Sequence, residues 1–187
     1  MKKISFHNPA SPWFFHVAVI LLYILIFLLL FGFAISVNPN IILLDNLLYL
    51  IIYNTLFFST LYPFFSLQMA RVVKTGYINT HQASIPEKFA NKLVLYNRYL
   101  ITAIYIFSLG VGVFEVYRPP EGSLGLLFLL VILGVCYFFY RFVMPVIIKS
   151  ILLEKISSKF EEVILGFSFL FFLFGLYQML NLLTLGK

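Results

Sequence analysis

Two arginines interrupt otherwise apolar stretches, and they are the first side chains to weigh for chemistry. Arg98 falls about a turn and a half into one stretch, and Arg141 about two turns from the end of the next. A charge at the bilayer centre costs about 2.5–3.5 kcal/mol on insertion scales. An arginine at this shallower depth therefore either snorkels to the headgroups or meets a carboxylate, a lipid phosphate or a ligand. The similar depth of the two suggests a shared anion site. Asp45, Glu115 and Arg118 form the counterpart at the opposite boundary. Glu115 and Arg118 stand three apart on one helix and can pair, while Asp45 opens a helix whose positive end favours a carboxylate. Boundary ion pairing is the plain expectation, and an entry point for an ion or substrate the sharper one.

The second apolar stretch is the most polar of the set. Asn46, Tyr49, Tyr53 and Thr60 share roughly one helical face, with Asn54, Thr55 and Ser59 beside them. Lipid penalises such a face, so it should turn inward or towards another subunit. It would serve interhelical hydrogen bonding or, in the sharper version, line a pore or polar pocket. His16 lies near the start of the first stretch, close to Trp13. Histidine is a common haem and metal ligand, but a haem held within the membrane generally wants two facing histidines, and His7 and His81 fall outside the apolar stretches. An interfacial histidine beside an aromatic belt is the simpler reading. Walker A, HExxH, CxxC and nucleophile-elbow motifs are all missing, and the single cysteine, Cys136, has no partner for a disulfide or thiolate cluster.

The elements that must position these residues follow from composition. Of 187 residues, 62% are hydrophobic and 11% charged, with a mean hydropathy of +1.01. Soluble domains are nearer half apolar and a quarter charged. The apolar residues fall into blocks that meet the ~20 residues a helix needs to cross the hydrocarbon core. The expectation is an all-α polytopic membrane protein, a single membrane domain with about five transmembrane helices over roughly residues 12–37, 41–70, 93–117, 124–148 and 162–185. The first block is too long for the ~7–15-residue core of a signal peptide and reads as a retained span.

Ser11-Pro12 suits the start of the first helix, and Asn38-Pro39-Asn40 its end. Pro63 predicts a kink in the second span. Ser84 with Glu87, and Ser158 with Glu161, read as capping boxes. From Pro86 the pattern stays helical to Tyr117, a length of about 48 Å at ~1.5 Å per residue, so its first turns should stand out of the membrane. Ile148, Leu152, Ile156 and Phe160 recur every fourth residue, an amphipathic stripe lying on the surface or extending the fourth span. Ile85–Phe89 and Ile156–Phe160 are faintly alike, as two hairpins of like orientation would be. Gly110, Gly112, Gly125 and Gly134 permit close helix approach, though no GxxxG occurs within a span.

Lys2, Lys3, Arg71, Lys74, Lys88, Lys92, Lys149, Lys155 and Lys159 group on one side, in the N-terminal tail and the connections at 71–92 and 149–161. The positive-inside rule puts that side, and the N-terminus, in the cytoplasm and the C-terminus outside. The net charge of +6 is this same asymmetry, so anionic lipid headgroups are its counter-surface and no nucleic acid is called for. These features fit a small non-catalytic subunit or accessory protein of a larger complex in the cell membrane, partnered by lipids and by other subunits or copies of itself. The alternatives are an oligomeric channel or transporter lined by the second span, and an interfacial component holding a lipid, quinone or haem through His16, Arg98 or Arg141. No cofactor is required by any motif.

Overall fold

The computed structural model describes residues 12–37, 44–116 and 123–185. Every described element is helical: α1 (Pro12–Val37), α2 (Leu44–His81), α3 (Glu87–Val116), α4 (Ser123–Phe138), a single π turn (Phe139–Val143), α5 (Met144–Leu152) and α6 (Ser158–Leu185). Five helical rods, with α4, the π turn and α5 counted as one, are long and apolar enough to cross a membrane. α2 is the axis and the most buried of the five. α1, α3, α5 and α6 all pack on it.

α2 runs well past residue 70. Polar residues from Arg71 to His81 continue the helix, so the connection to α3 is only 82–86 rather than a loop over 71–92. Polar side chains outside the hydrocarbon carry no hydropathy signal, yet their backbone gains as much from helix as any other. The turn is closed by Gln82, whose φ of 51° is left-handed and whose N–H donates to the Ile78 carbonyl at 2.7 Å. The second connection ends similarly. Glu154 adopts φ 55°, and the N–H groups of Glu154 and Lys155 donate to the carbonyls of Ile151 and Ser150 at 3.3 and 2.9 Å, a Schellman closure of α5.

α2 passes through Pro63 without interruption. Pro63 has no N–H, so the carbonyl of Ser59, one turn earlier, loses its helical donor. The Tyr140 hydroxyl supplies that bond from the π turn. The π turn has its own proline. Pro145 cannot donate to the carbonyl four residues back, and the Met144 N–H reaches the Phe139 carbonyl across the widened turn. Two prolines thus meet through one tyrosine.

Both expected capping boxes are realised otherwise. Glu87 gives its carboxylate to Lys149 at 2.8 Å, and Glu161 gives its own to Arg71 at 2.5 Å. The cap of α6 is Ser157, whose Oγ accepts from the Phe160 N–H at 3.4 Å. In each case packing supplies a cation from a neighbouring helix, and a charge-assisted bond takes the place of the cap. With Lys74–Glu154 at 3.1 Å, these pairs gather the ends of α2, α5 and the starts of α3 and α6 into one basic end. The stripe at 148–160 divides: Ile148 and Leu152 are buried in an extension of the fourth rod, whereas Phe160 is exposed.

Candidate functional site

Of the face expected to turn inward, Thr60 is half-buried and the side chains of Asn46 and Tyr49 fall outside the described residues; the stripe beside it is the enclosed one. Asn54, Thr55 and Ser59 are buried, while Tyr53 is exposed. Their spacing is helical, so one stripe of α2 meets α1, α3 and the π turn together. Thr55 Oγ1 lies 3.1 Å from the Tyr23 hydroxyl of α1 and 2.5 Å from Ser108 Oγ of α3. Ser108 in turn donates to the Ile104 carbonyl at 3.0 Å. Ser59 Oγ donates to the Thr55 carbonyl at 2.6 Å and stands 2.5 Å from the Tyr105 hydroxyl. Thr55 Oγ1 also lies 3.1 Å from the Ile51 carbonyl, so its single proton is shared between that carbonyl and Ser108, while Tyr105 donates to Ser59, whose own proton goes to the Thr55 carbonyl. Deeper towards the basic end, Asn97 Nδ2 donates to the Tyr62 hydroxyl at 2.6 Å. Such bonds replace the water that hydrocarbon withholds. Neither amide atom of Asn54 is partnered, nor are Asn97 Oδ1 and Thr102 Oγ1.

A second polar feature lies at the basic end. Asn91, Val94, Leu95 and Arg98 recur along one face of α3, and opposite them stand Pro145, Val146, Lys149 and Ser150 of α5, with Lys155 from the turn beyond. Together they line a cleft of about 590 Å³. α3 leaves the basic end as α5 approaches it, so Arg98 occupies the floor and Lys149 and Lys155 the mouth. Asn91 and Arg98 are about 10 Å apart along the axis. The Nε of Arg98 is enclosed and has no hydrogen-bond partner. Three cations therefore face one cleft, and none of its lining residues is acidic. Glu87 stands at the rim, bonded to Lys149 and largely exposed. Solvent screens an exposed pair of this kind, so it does not hold Lys149 from a stronger anion.

No family model, curated protein or solved structure matches the chain. Its chemistry must be read from its own residues.

The remaining sequence candidates are dispersed. Arg141 sits in the π turn with its guanidinium 5.7 Å from the Phe142 ring, and it does not line the cleft. The cleft that Arg98 lines takes its other two cations from Lys149 and Lys155 rather than from Arg141. His16 is buried, edge-on to Phe15 and Tyr96 at 5.6 and 5.8 Å, with both ring nitrogens unpartnered. His81 is exposed and stacks on Tyr77 at 4.2 Å. Among the described residues, no three His, Cys, Asp or Glu side chains are grouped to hold a metal. Asp45 lies in the first turn of α2 and Glu115 in the last of α3, but their side chains, like the whole of Arg118, fall outside the described residues.

Sequence reasoning found Arg98 but missed Lys149 and Lys155 as its companions. They looked like one half of a solvated stripe, and only the antiparallel packing of α3 on α5 brings them to it. Gly175 was missed too. A Cβ there would collide with Thr60 of α2, so the glycine is what lets α6 seat against the axis. Gly112 does the same for Leu130 of α4, whereas Gly110 and Gly134 face open space.

Proposed function

We propose that the chain is a small, non-catalytic multi-pass subunit of a larger assembly in the cell membrane. Its lysine-rich end and N-terminus then lie in the cytoplasm, and its C-terminus outside, as the positive-inside rule orders them. The observation that supports this most is the commitment of α2's polar stripe to the neighbouring helices. A conducting path needs polar groups left open along a continuous line, and acid–base catalysis needs titratable groups positioned against a substrate. The Thr55 and Ser59 hydroxyls instead join α2 to α1 and α3, and the Ser59 carbonyl joins it to the π turn. That makes a self-contained bundle whose outer faces on α1, α4 and α6 remain apolar and exposed, available to lipid and to neighbouring subunits.

Blue-native electrophoresis after mild solubilisation of native membranes tests the proposal. Migration with other polypeptides, identified by mass spectrometry, is the expected result. A lone monomer in every mild detergent would overturn it. Solute flux into proteoliposomes that vanishes with Asn54→Ala or Thr55→Val would instead favour a path along α2.

A further inference from the structure

We infer that the cleft between α3 and α5 is a phosphate-binding site, taking the phosphate of an anionic lipid headgroup or of a soluble phosphate ester. The donor set has the right chemistry. Arg98 offers a planar fork that matches phosphate oxygens, and its Nε is already withdrawn from water without a partner. Lys149 and Lys155 add two point charges at the mouth, with Asn91 and Ser150 as neutral donors between. Glu87 at the rim, bonded to Lys149 and near Lys155, offsets only part of the three positive charges that face the cleft. An anion among them offsets the remainder and satisfies the orphaned Nε in one step.

The position has the right physics as well. Arg98 stands below the mouth by about two helical turns, with Val94, Leu95, Pro145 and Val146 forming apolar walls around it. A headgroup entering from the side would meet the cations with its phosphate and the walls with its glycerol and first methylenes. Basic pockets between helices at the cytoplasmic side of a membrane are the general form of such recognition. Trp13 at the start of α1 meets Tyr96 and Lys92 of α3, with Trp13 and Tyr96 stacked at 6.1 Å and Lys92 over Tyr96 at 5.8 Å. Amphipathic aromatics of this kind settle at headgroup level. The site is independent of whether the chain has partner subunits.

The test uses the full chain in mild detergent, titrated with phosphatidylglycerol, phosphatidic acid or phosphatidylcholine and read by native mass spectrometry. Inorganic phosphate and glycerol phosphate are added in a separate arm. Arg98→Gln should weaken retention of the anionic lipids by about tenfold, as loss of a charge-assisted fork does. The exposed double variant Lys149→Gln/Lys155→Gln should do the same, which keeps the test sound if Arg98→Gln does not fold. Lys88→Gln/Lys159→Gln removes the same charge outside the cleft and should leave retention within about twofold. Displacement of lipid by millimolar glycerol phosphate would identify a soluble ester as the ligand, and indifference to it a lipid. Equal loss in the cleft and control variants, or retention of phosphatidylcholine as strong as that of the anionic lipids, would overturn the inference. So would an absence of binding to every phosphate probe.

Discussion

The Tyr140 hydroxyl donates to the Ser59 carbonyl, the acceptor that Pro63 deprives of its helical N–H. Each partner owes its place to a proline. Pro63 frees the acceptor on α2, and the π turn before Pro145 aims the donor. An unsatisfied carbonyl in a membrane interior is costly, so tyrosine and proline should depend on each other. Tyr140→Phe is expected to cost about 1 kcal/mol. In a Pro63→Ala background, where the N–H is restored, the same change should cost less than half as much. A double-mutant cycle by reversible unfolding in detergent measures this; equal costs in both backgrounds would break the link between the prolines.

Thr55 and Ser108 join α2 to α3 through hydroxyls 2.5 Å apart. Interhelical hydrogen bonds in membranes average about 0.6 kcal/mol and reach about 1.7. A Thr55→Val/Ser108→Ala cycle should give a coupling within that range, because both hydroxyls are within bonding distance of each other and the contribution of Tyr23 cancels in the cycle. Additive single effects would show that the hydroxyls merely lie close.

Gly175 lets α6 seat against Thr60. Gly175→Ala should destabilise the bundle by about 1–3 kcal/mol through overpacking. Thr60→Gly should recover most of that loss in the double variant, though it carries its own helix-propensity cost of ~1 kcal/mol. Thermal unfolding followed by circular dichroism reads both. If Thr60→Gly gives no relief, α6 is held elsewhere.

Glu154 closes α5 at φ 55°, a conformation that costs a residue bearing Cβ about 1–2 kcal/mol and a glycine almost nothing. Its pairing with Lys74 is more than half exposed at the carboxylate, and such pairs contribute ~1 kcal/mol at most. Glu154→Gly should therefore be neutral or raise stability by up to about 1 kcal/mol. A clear loss of Tm would mean that the ion pair, not the turn, governs this connection.

Local features of the chain were legible without coordinates. Runs of Leu, Ile, Val and Phe identify the helical rods, because hydrophobic length is a property of contiguous residues. The intolerance of lipid for polar groups marked α2 as the helix to be enclosed, but the face chosen by spacing was off by a residue or two, since Tyr53 is exposed while Thr55 and Ser59 are buried. Boundaries were less legible where polarity and helicity part company. Arg71–His81 resembles a loop in hydropathy but forms the last turns of α2.

The sequence by itself determined a bundle of membrane-length apolar helices with a lysine-rich end, since composition and periodicity act residue by residue along the chain. Tertiary structure decided who meets whom: Tyr140 with Ser59, Glu161 with Arg71 over 90 residues of chain, and Arg98 with Lys149 and Lys155 around one cleft. Glu87 and Glu161 each had a local use as a helix cap and a distant one as an ion-pair partner. Packing brings a cation on another helix within reach of each carboxylate, and no pattern along the chain encodes that proximity.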